Sequence, residues 1–253
     1  LADDRFFPDA GEELIRFREA GGQGVLAAAA RTVEWSRIAS LTELAGVWGA
    51  LGLHPFFVAE WGGDAMVEEL ASRIAACPRL RAVGEIGLDF QHGRENADLQ
   101  EEVFAAQLEV AVRLGLPVVL HNRKSWREAF GILDAFDGAV RGVCHNFTGS
   151  PELAREILRR GLHISFAGPV SYPNARRAHA AARYVPSDRI LTETDTPDLP
   201  PWPRPRAQSV PADVQRVLAA VAGLRGEPVD TLAMDVARNF ERLFGGRSPA
   251  DCA

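Results

Sequence analysis

Four polar residues stand where apolar runs of this 253-residue chain stop: Glu85 in VGEIGLD, His121 in VVLHNR, His145 in GVCHNF and Asp195 in LTETDTP. Two imidazoles and two carboxylates form a ligand vocabulary suited to zinc, manganese or another divalent ion. Taken singly, each also has an ordinary reading. A histidine that ends a strand is commonly a hydrogen-bonded structural residue, and Asp195 before Thr196 and Pro197 also describes a turn. Glu85, close to Val83 and Ile86, is a carboxylate in apolar surroundings, costly unless a cation or hydrogen-bond donors compensate it. Their shared position at strand ends favours a joint metal site. Around them, His54 in GLHPFF could touch substrate or support a ligand, and Asp89 could hydrogen-bond to a ligand imidazole or to another loop. Arg123 and Lys124 offer phosphate contacts or simply a solvated first helical turn, while His92, His163 and His179 lack a comparable context.

The elements that must position these residues are short apolar runs alternating with longer amphipathic ones, the pattern of β-α units around a parallel sheet. Strands are expected at 23–29, 46–51, 81–86, 116–121, 140–145, 161–166 and 189–194. Helices are expected at 9–20, 34–44, 63–76, 96–114, 124–136, 150–160 and 174–183, with a last helical region near 211–244. Gly115 stops the fourth helix, and Ser150-Pro151 opens the sixth. The fold class is α/β, a TIM-barrel-like (β/α)8 fold, with residues 1–253 as one domain. A barrel needs eight strands and seven are found, so the first strand is expected to be missing from the front. In such a barrel the C-terminal strand ends share one face, which would bring the four ligand candidates together. The proline-rich stretch 197–211 reads as a loop over that face or as a plain solvent-exposed connection.

Composition narrows the function classes. The chain is 47% hydrophobic and 25% charged, which excludes a disordered or fibrous protein, and no apolar run is long enough to cross a membrane. The opening lacks the features of a signal peptide, so a cytoplasmic location is expected. Cys77, Cys144 and Cys252 are widely spaced and suit reduced thiols. A formal charge of −6 gives no general attraction for nucleic acid, although arginine supplies all of the positive charge except Lys124 and can hold phosphate locally. There is no GxSxG nucleophile elbow and no GxGxxG after a strand.

An ordered set of motifs resembles the TatD-type DNase family of metal-dependent hydrolases, within the amidohydrolase-like barrels. It comprises GLHP at 52–55, GEIGLDF at 84–90, HNR at 121–123, HNFTGS at 145–150, SFAGPVSYPNA at 165–175, ETDTP at 193–197 and NFERLF at 239–244. The resemblance implies that Glu85 bridges two metals, that His121 and His145 bind one, and that Asp195 binds the other and helps activate water. It also implies two further histidines in an HxH motif at the end of the first strand; that motif is absent, and LADDRFFPDA resembles the sequence that follows it. After Asp195 the family continues with a loop resembling RGKxNEP, whereas this chain has DLPPWPRPRAQSVPADV, in which Arg204 and Arg206 are the candidate replacements for phosphate binding.

The leading expectation is therefore a metal-dependent phosphodiester hydrolase using one or two divalent ions (zinc, magnesium or manganese). Asp195 and Glu85 are the catalytic candidates, Glu85, His121, His145 and Asp195 the metal ligands, and His54, Arg123, Arg204 and Arg206 the substrate contacts. DNA is the implied substrate, with no membrane partner and no protein partner identified. One alternative is a hydrolase of a small phosphate ester, amide or lactone using the same site. Another is a non-catalytic barrel that binds a ligand with a degraded metal set.

Overall fold

The computed structural model describes residues 1, 9–203 and 208–246. Its strands are β1 (Val25–Ala28), β2 (Val47–Leu51), β3 (Leu80–Asp89), β4 (Val118–Arg123), β5 (Gly142–Cys144), β6 (His163–Phe166) and β7 (Ile190–Thr192). The α-helices are α1 (Ala10–Glu19), α2 (Trp35–Leu41), α3 (Asp64–Ala76), α4 (Ala97–Arg113), α5 (Trp126–Asp134), α6 (Pro151–Arg159), α7 (Arg176–Tyr184), α8 (Val214–Arg225) and α9 (Val229–Phe244). Seven parallel strands in chain order, alternating with helices, are the topology of the TIM-barrel-like (β/α)8 class with seven strands among the described residues. The chain packs as two compact units, Gly24–Val143 and Cys144–Leu243, the latter together with the N-terminal segment that ends at Gln23.

In the unit Gly24–Val143, β1 to β4 pair in parallel, each with the next. Helices cover such strands, so their side chains are apolar in runs: Val47 and Leu51 of β2 and Leu80, Ile86 and Leu88 of β3 are buried, as are Trp35 and Ile38 of α2 and Phe104 and Leu108 of α4. Helix α4 ends as its sequence implies. Gly115 takes a left-handed conformation, its N–H reaches Val112 O and the next N–H, of Leu116, reaches Ala111 O, which satisfies two terminal carbonyls.

Three expected boundaries are corrected here, two of them at site residues. Strand β3 runs on to Asp89 and β4 to Arg123, because Leu88 and Asp89 stay in register with Asn122 and Arg123. Glu85 and His121 therefore lie inside strands rather than at their ends. Helix α5 starts at Trp126 rather than at 124 because Lys124 has φ of 58° and the buried Ser125 hydroxyl donates to Leu88 O at 2.9 Å.

The β3–β4 pair also carries an irregularity. Val83 faces Val118 and Ile86 faces Leu120, so three steps on β3 match two on β4, with Gly84 and Glu85 in the bulge. A bulge bends the strand and re-aims a side chain, here the Glu85 carboxylate. Immediately beyond, Gly87 has φ of 144° and lies so close to β4 that a Cβ would stand 1.8 Å from the His121 carbonyl oxygen. Glycine is required there on both grounds.

In the unit containing Cys144–Leu243, β6 and β7 pair in parallel from Ile164–Ile190 to Phe166–Thr192. Their pattern extends past the strand ends, since Phe147 N–H donates to Ser165 O at 2.9 Å and Glu193 N–H to Phe166 O at 3.0 Å. Ser150 caps α6 with Pro151 in its first turn, as expected. The proline-rich stretch packs back on residues 168–172: Tyr172 Oη donates to Pro200 O at 3.0 Å and Trp202 N–H to Ser171 Oγ at 2.8 Å. Arg204, Arg206 and Cys252 lie outside the described residues. Cys77 and Cys144 are free thiols, and burial pushes the Cys144 thiol up to about 12, where it is protonated and inert. No described helix is long and apolar enough to cross a membrane.

Replacing Gly87 by alanine would force β3 away from the backbone of β4. The expected result is a loss of about 1–3 kcal/mol from the backbone clash, read as a fall of several degrees in Tm, with metal affinity weakened in the same variant because His121 is displaced.

Candidate metal centre

Three side chains of the unit Gly24–Val143 bring ligand atoms within 4.8 Å of one another: His54, Glu85 and His121. Their origins explain the arrangement. His54 follows β2 and caps the short helical turn Pro55–Glu60, Glu85 sits in the bulge of β3, and His121 lies in β4 beside it. His121 Nδ1 is 3.2 Å from Glu85 Oε1, and its Nε2 is 2.9 Å from Asp89 Oδ2. With Nε2–H held by Asp89, Nδ1 is the nitrogen that presents a lone pair beside Glu85. This carboxylate–imidazole pairing fixes the ring and raises its basicity, the usual support for a metal-ligating histidine. His54 behaves differently: its Nδ1 accepts the Phe56 N–H at 3.1 Å, and its Nε2 is 3.7 Å from Glu85 Oε1. The neutral ring then carries its proton on Nε2, so His54 faces the site as a hydrogen-bond donor. Becoming a nitrogen ligand there requires moving that proton to Nδ1 and giving up the Phe56 bond.

The donor set fits one divalent ion. It offers imidazole and carboxylate without thiolate, in a partly buried position where the Glu85 side chain is 20% exposed and the Asp89 side chain is fully buried. Burial alone would raise the Asp89 carboxyl, but hydrogen bonds from His121 and the Gln91 N–H, with the charges of His121 and Arg123, outweigh it and hold Asp89 below its ordinary value. Asp89 is thus an anion available to orient His121, as its spacing from Glu85 implied.

Two glutamines that the sequence reading passed over hold these segments. Gln107 Oε1 accepts the Leu53 N–H at 2.7 Å while its Nε2 donates to Leu53 O at 3.1 Å. Gln100 treats Asp89 the same way, at 2.8 Å and 3.1 Å. Each side-chain amide replaces the backbone neighbour that a chain leaving its sheet has lost. A signal was present, since both glutamines sit among apolar residues of α4 seven positions apart, which places them on one face.

The unit containing Cys144–Leu243 holds a second group. Asn146 Nδ2 donates to Asp195 Oδ2 at 2.7 Å, the Asn146 N–H donates to Glu193 Oε1, and His145 Nδ1 is 3.6 Å from the same oxygen. Glu193 and Asn146 were not singled out in the sequence, although each stands within two residues of a candidate ligand. Arg123 is exposed at the end of β4, where its charge acts on Asp89.

A chain of β-α units carrying histidine and carboxylate ligands at its strands defines a class, the metal-dependent hydrolases of the amidohydrolase-like barrels. Within it, the family model described as TatD related DNase matches residues 1–245, and the chain belongs to that family. The 3'-5' ssDNA/RNA exonuclease TatD of Citrobacter rodentium is 33% identical over 255 residues, covering 97% of this chain and 95% of that one. The metal-dependent hydrolase YcfH of Escherichia coli K12 is 39% identical over 179 residues, covering 70% of this chain and 67% of that one. Among solved structures, the TatD homologue YjjV from Escherichia coli K12 superposes with a TM-score of 0.89 at 30% identity, covering 96% and 95% of the two chains. The TatD family hydrolase of Entamoeba histolytica shares the fold, with a TM-score of 0.86 at 18% identity. Membership and the donor set make this chain a metal-dependent hydrolase acting on ester-type bonds.

Asp89→Asn keeps a hydrogen-bonding group of the same shape but removes its charge, and metal affinity measured by calorimetric titration is expected to fall roughly 10- to 100-fold. Gln107→Leu would leave a buried N–H and C=O of Leu53 unsatisfied, at about 1–3 kcal/mol for each group. Chemical denaturation should show that loss, while an exposed substitution such as Glu109→Gln on the same helix should show none.

Proposed function

We propose that this chain is a deoxyribonuclease that hydrolyses phosphodiester bonds at an end of single-stranded nucleic acid, working as one domain over residues 1–253. The reading is carried by the His54, Glu85 and His121 cluster in a chain that aligns along 97% of its length with a relative named as a 3'-5' ssDNA/RNA exonuclease. Cytoplasmic action is part of the proposal, supported by two free thiols.

The proposed metal ligands are Glu85, His121, His145 and Asp195, holding one or two divalent ions. Nitrogen and carboxylate donors suit zinc or manganese better than magnesium, which favours oxygen alone. When bound, a divalent ion supplies Lewis acidity toward the phosphoryl group and lowers the pKa of water. The chain's own residues do the rest. Asp89 holds the His121 ring in place, and Asn146 orients the Asp195 carboxylate, which accepts the proton of the attacking water. His54, whose Nδ1 accepts from Phe56, is proposed to donate its Nε2–H to a phosphate oxygen. Arg123, Arg204 and Arg206 are proposed to attract phosphate oxygens, so a net charge of −6 is no obstacle when the local field is cationic.

The test is hydrolysis of a 5'- or 3'-labelled single-stranded oligonucleotide by the full chain with added zinc or manganese. Glu85→Gln, His121→Ala, His145→Ala and Asp195→Ala are each expected to lower kcat by more than the roughly 10- to 100-fold seen when a merely orienting residue is lost. Unchanged turnover in all of them would overturn the reading.

A further inference from the structure

We propose that Phe56, with His92 beside it, is a base-stacking platform for the nucleotide next to the bond that is cleaved. This rests on the nucleic-acid reading above and names which part of that substrate the chain grips beyond its phosphate.

Phe56 is 54% exposed although it is a large apolar residue beside the metal cluster. It does not serve the core: the neighbouring Phe57 does that, packing against Leu53, Val58 and Val103. The Phe56 N–H is tied to His54 Nδ1, which pins its backbone next to the site. Its ring centroid is 4.6 Å from that of His54, 6.0 Å from that of His121 and 6.3 Å from that of His92. The interplanar angles are 56–68°, so none of these contacts is a parallel stack. Phe56 also lines a cavity of about 360 Å³ together with Pro55, Asp89, His92, Glu95 and Asn96.

The chemistry of that lining selects the occupant. Glu95 lines the cavity and the Asp89 carboxylate lies buried beside it, and their like charge repels a phosphate there. A nucleobase is uncharged and planar and carries N–H groups that carboxylate and amide oxygens can accept. In a single strand its faces are free to stack on an aromatic ring, an interaction that tolerates every base. Given the short distances from Phe56 to His54 and His121, a base laid on Phe56 belongs to the nucleotide adjoining the reacting phosphate.

The experiment compares a natural oligonucleotide with one whose terminal nucleotides lack bases, using the full chain loaded with manganese. The wild type should show a KM higher by about 5- to 100-fold on the abasic strand, the range that stacking of one base provides. Phe56→Ala should raise KM on the natural strand by a similar factor and remove the difference between the two strands. A terminal 2-aminopurine gives a readout independent of turnover. Its fluorescence should be quenched on binding to wild type and to Phe56→Trp, and not on binding to Phe56→Ala. Equal KM on both strands for the wild type, or quenching that survives in Phe56→Ala, would overturn the platform alone. A wild type that neither binds nor cleaves any oligonucleotide would overturn the nucleic-acid reading, and the platform with it.

Discussion

The site depends first on how closely β3 approaches β4. At Gly87 the two backbones leave no room for a side chain, with the His121 carbonyl oxygen where a Cβ would be. That contact keeps Leu88 and Asp89 in register with Asn122 and Arg123 beyond the bulge. The bulge itself, one extra residue in β3, changes the direction in which Glu85 points. Past the bulge, Asp89 shares a face of β3 with Gly87, and so with His121, which pairs with Gly87. The spacing between the strands therefore decides the geometry of the ligands.

Holding charged groups in that position has an energetic consequence. Asp89 is buried, and burial opposes its charge, yet it stays ionised because His121, the Gln91 N–H and Arg123 compensate. Its folded carboxyl lies below the value it has in the unfolded chain, so its contribution to stability is present above the unfolded value and is lost as pH falls through the folded one. The two glutamines of α4 solve the related problem for uncharged backbone. Leu53 lies past the end of β2 and Asp89 is the last residue of β3, each with an N–H and a carbonyl facing α4, and one amide side chain satisfies each pair. One helix thereby positions the segments after two strands.

Much of this was legible in the residues. The alternation of apolar runs and amphipathic stretches located the seven described strands and α1 to α7 to within a few residues, and the region near 211–244 as helical without dividing it into α8 and α9, because parallel strands covered by helices are written as continuous apolar runs. Gly115 and Ser150-Pro151 marked helix ends for local reasons that need no tertiary information. Asp89 was also recognisable as a partner for an imidazole from its spacing. The boundaries that failed at site residues were those of β3 and β4, where Gly87, Asn122 and Arg123 do not look like strand residues but pair with His121, Leu88 and Asp89 across the two strands.

Residue types and their order determined the fold class, the metal-ligand vocabulary and the family, because each depends on patterns that persist along the chain. Tertiary structure alone decided which atoms meet. It placed His54 with Glu85 and His121, committed one nitrogen of His54 to Phe56, and gave Glu193 and Asn146 their contacts with His145 and Asp195. Apart from the His54–Phe56 bond, which spans two residues, those outcomes depend on bulge, register and rotamer between residues far apart in the chain, and no local pattern encodes them.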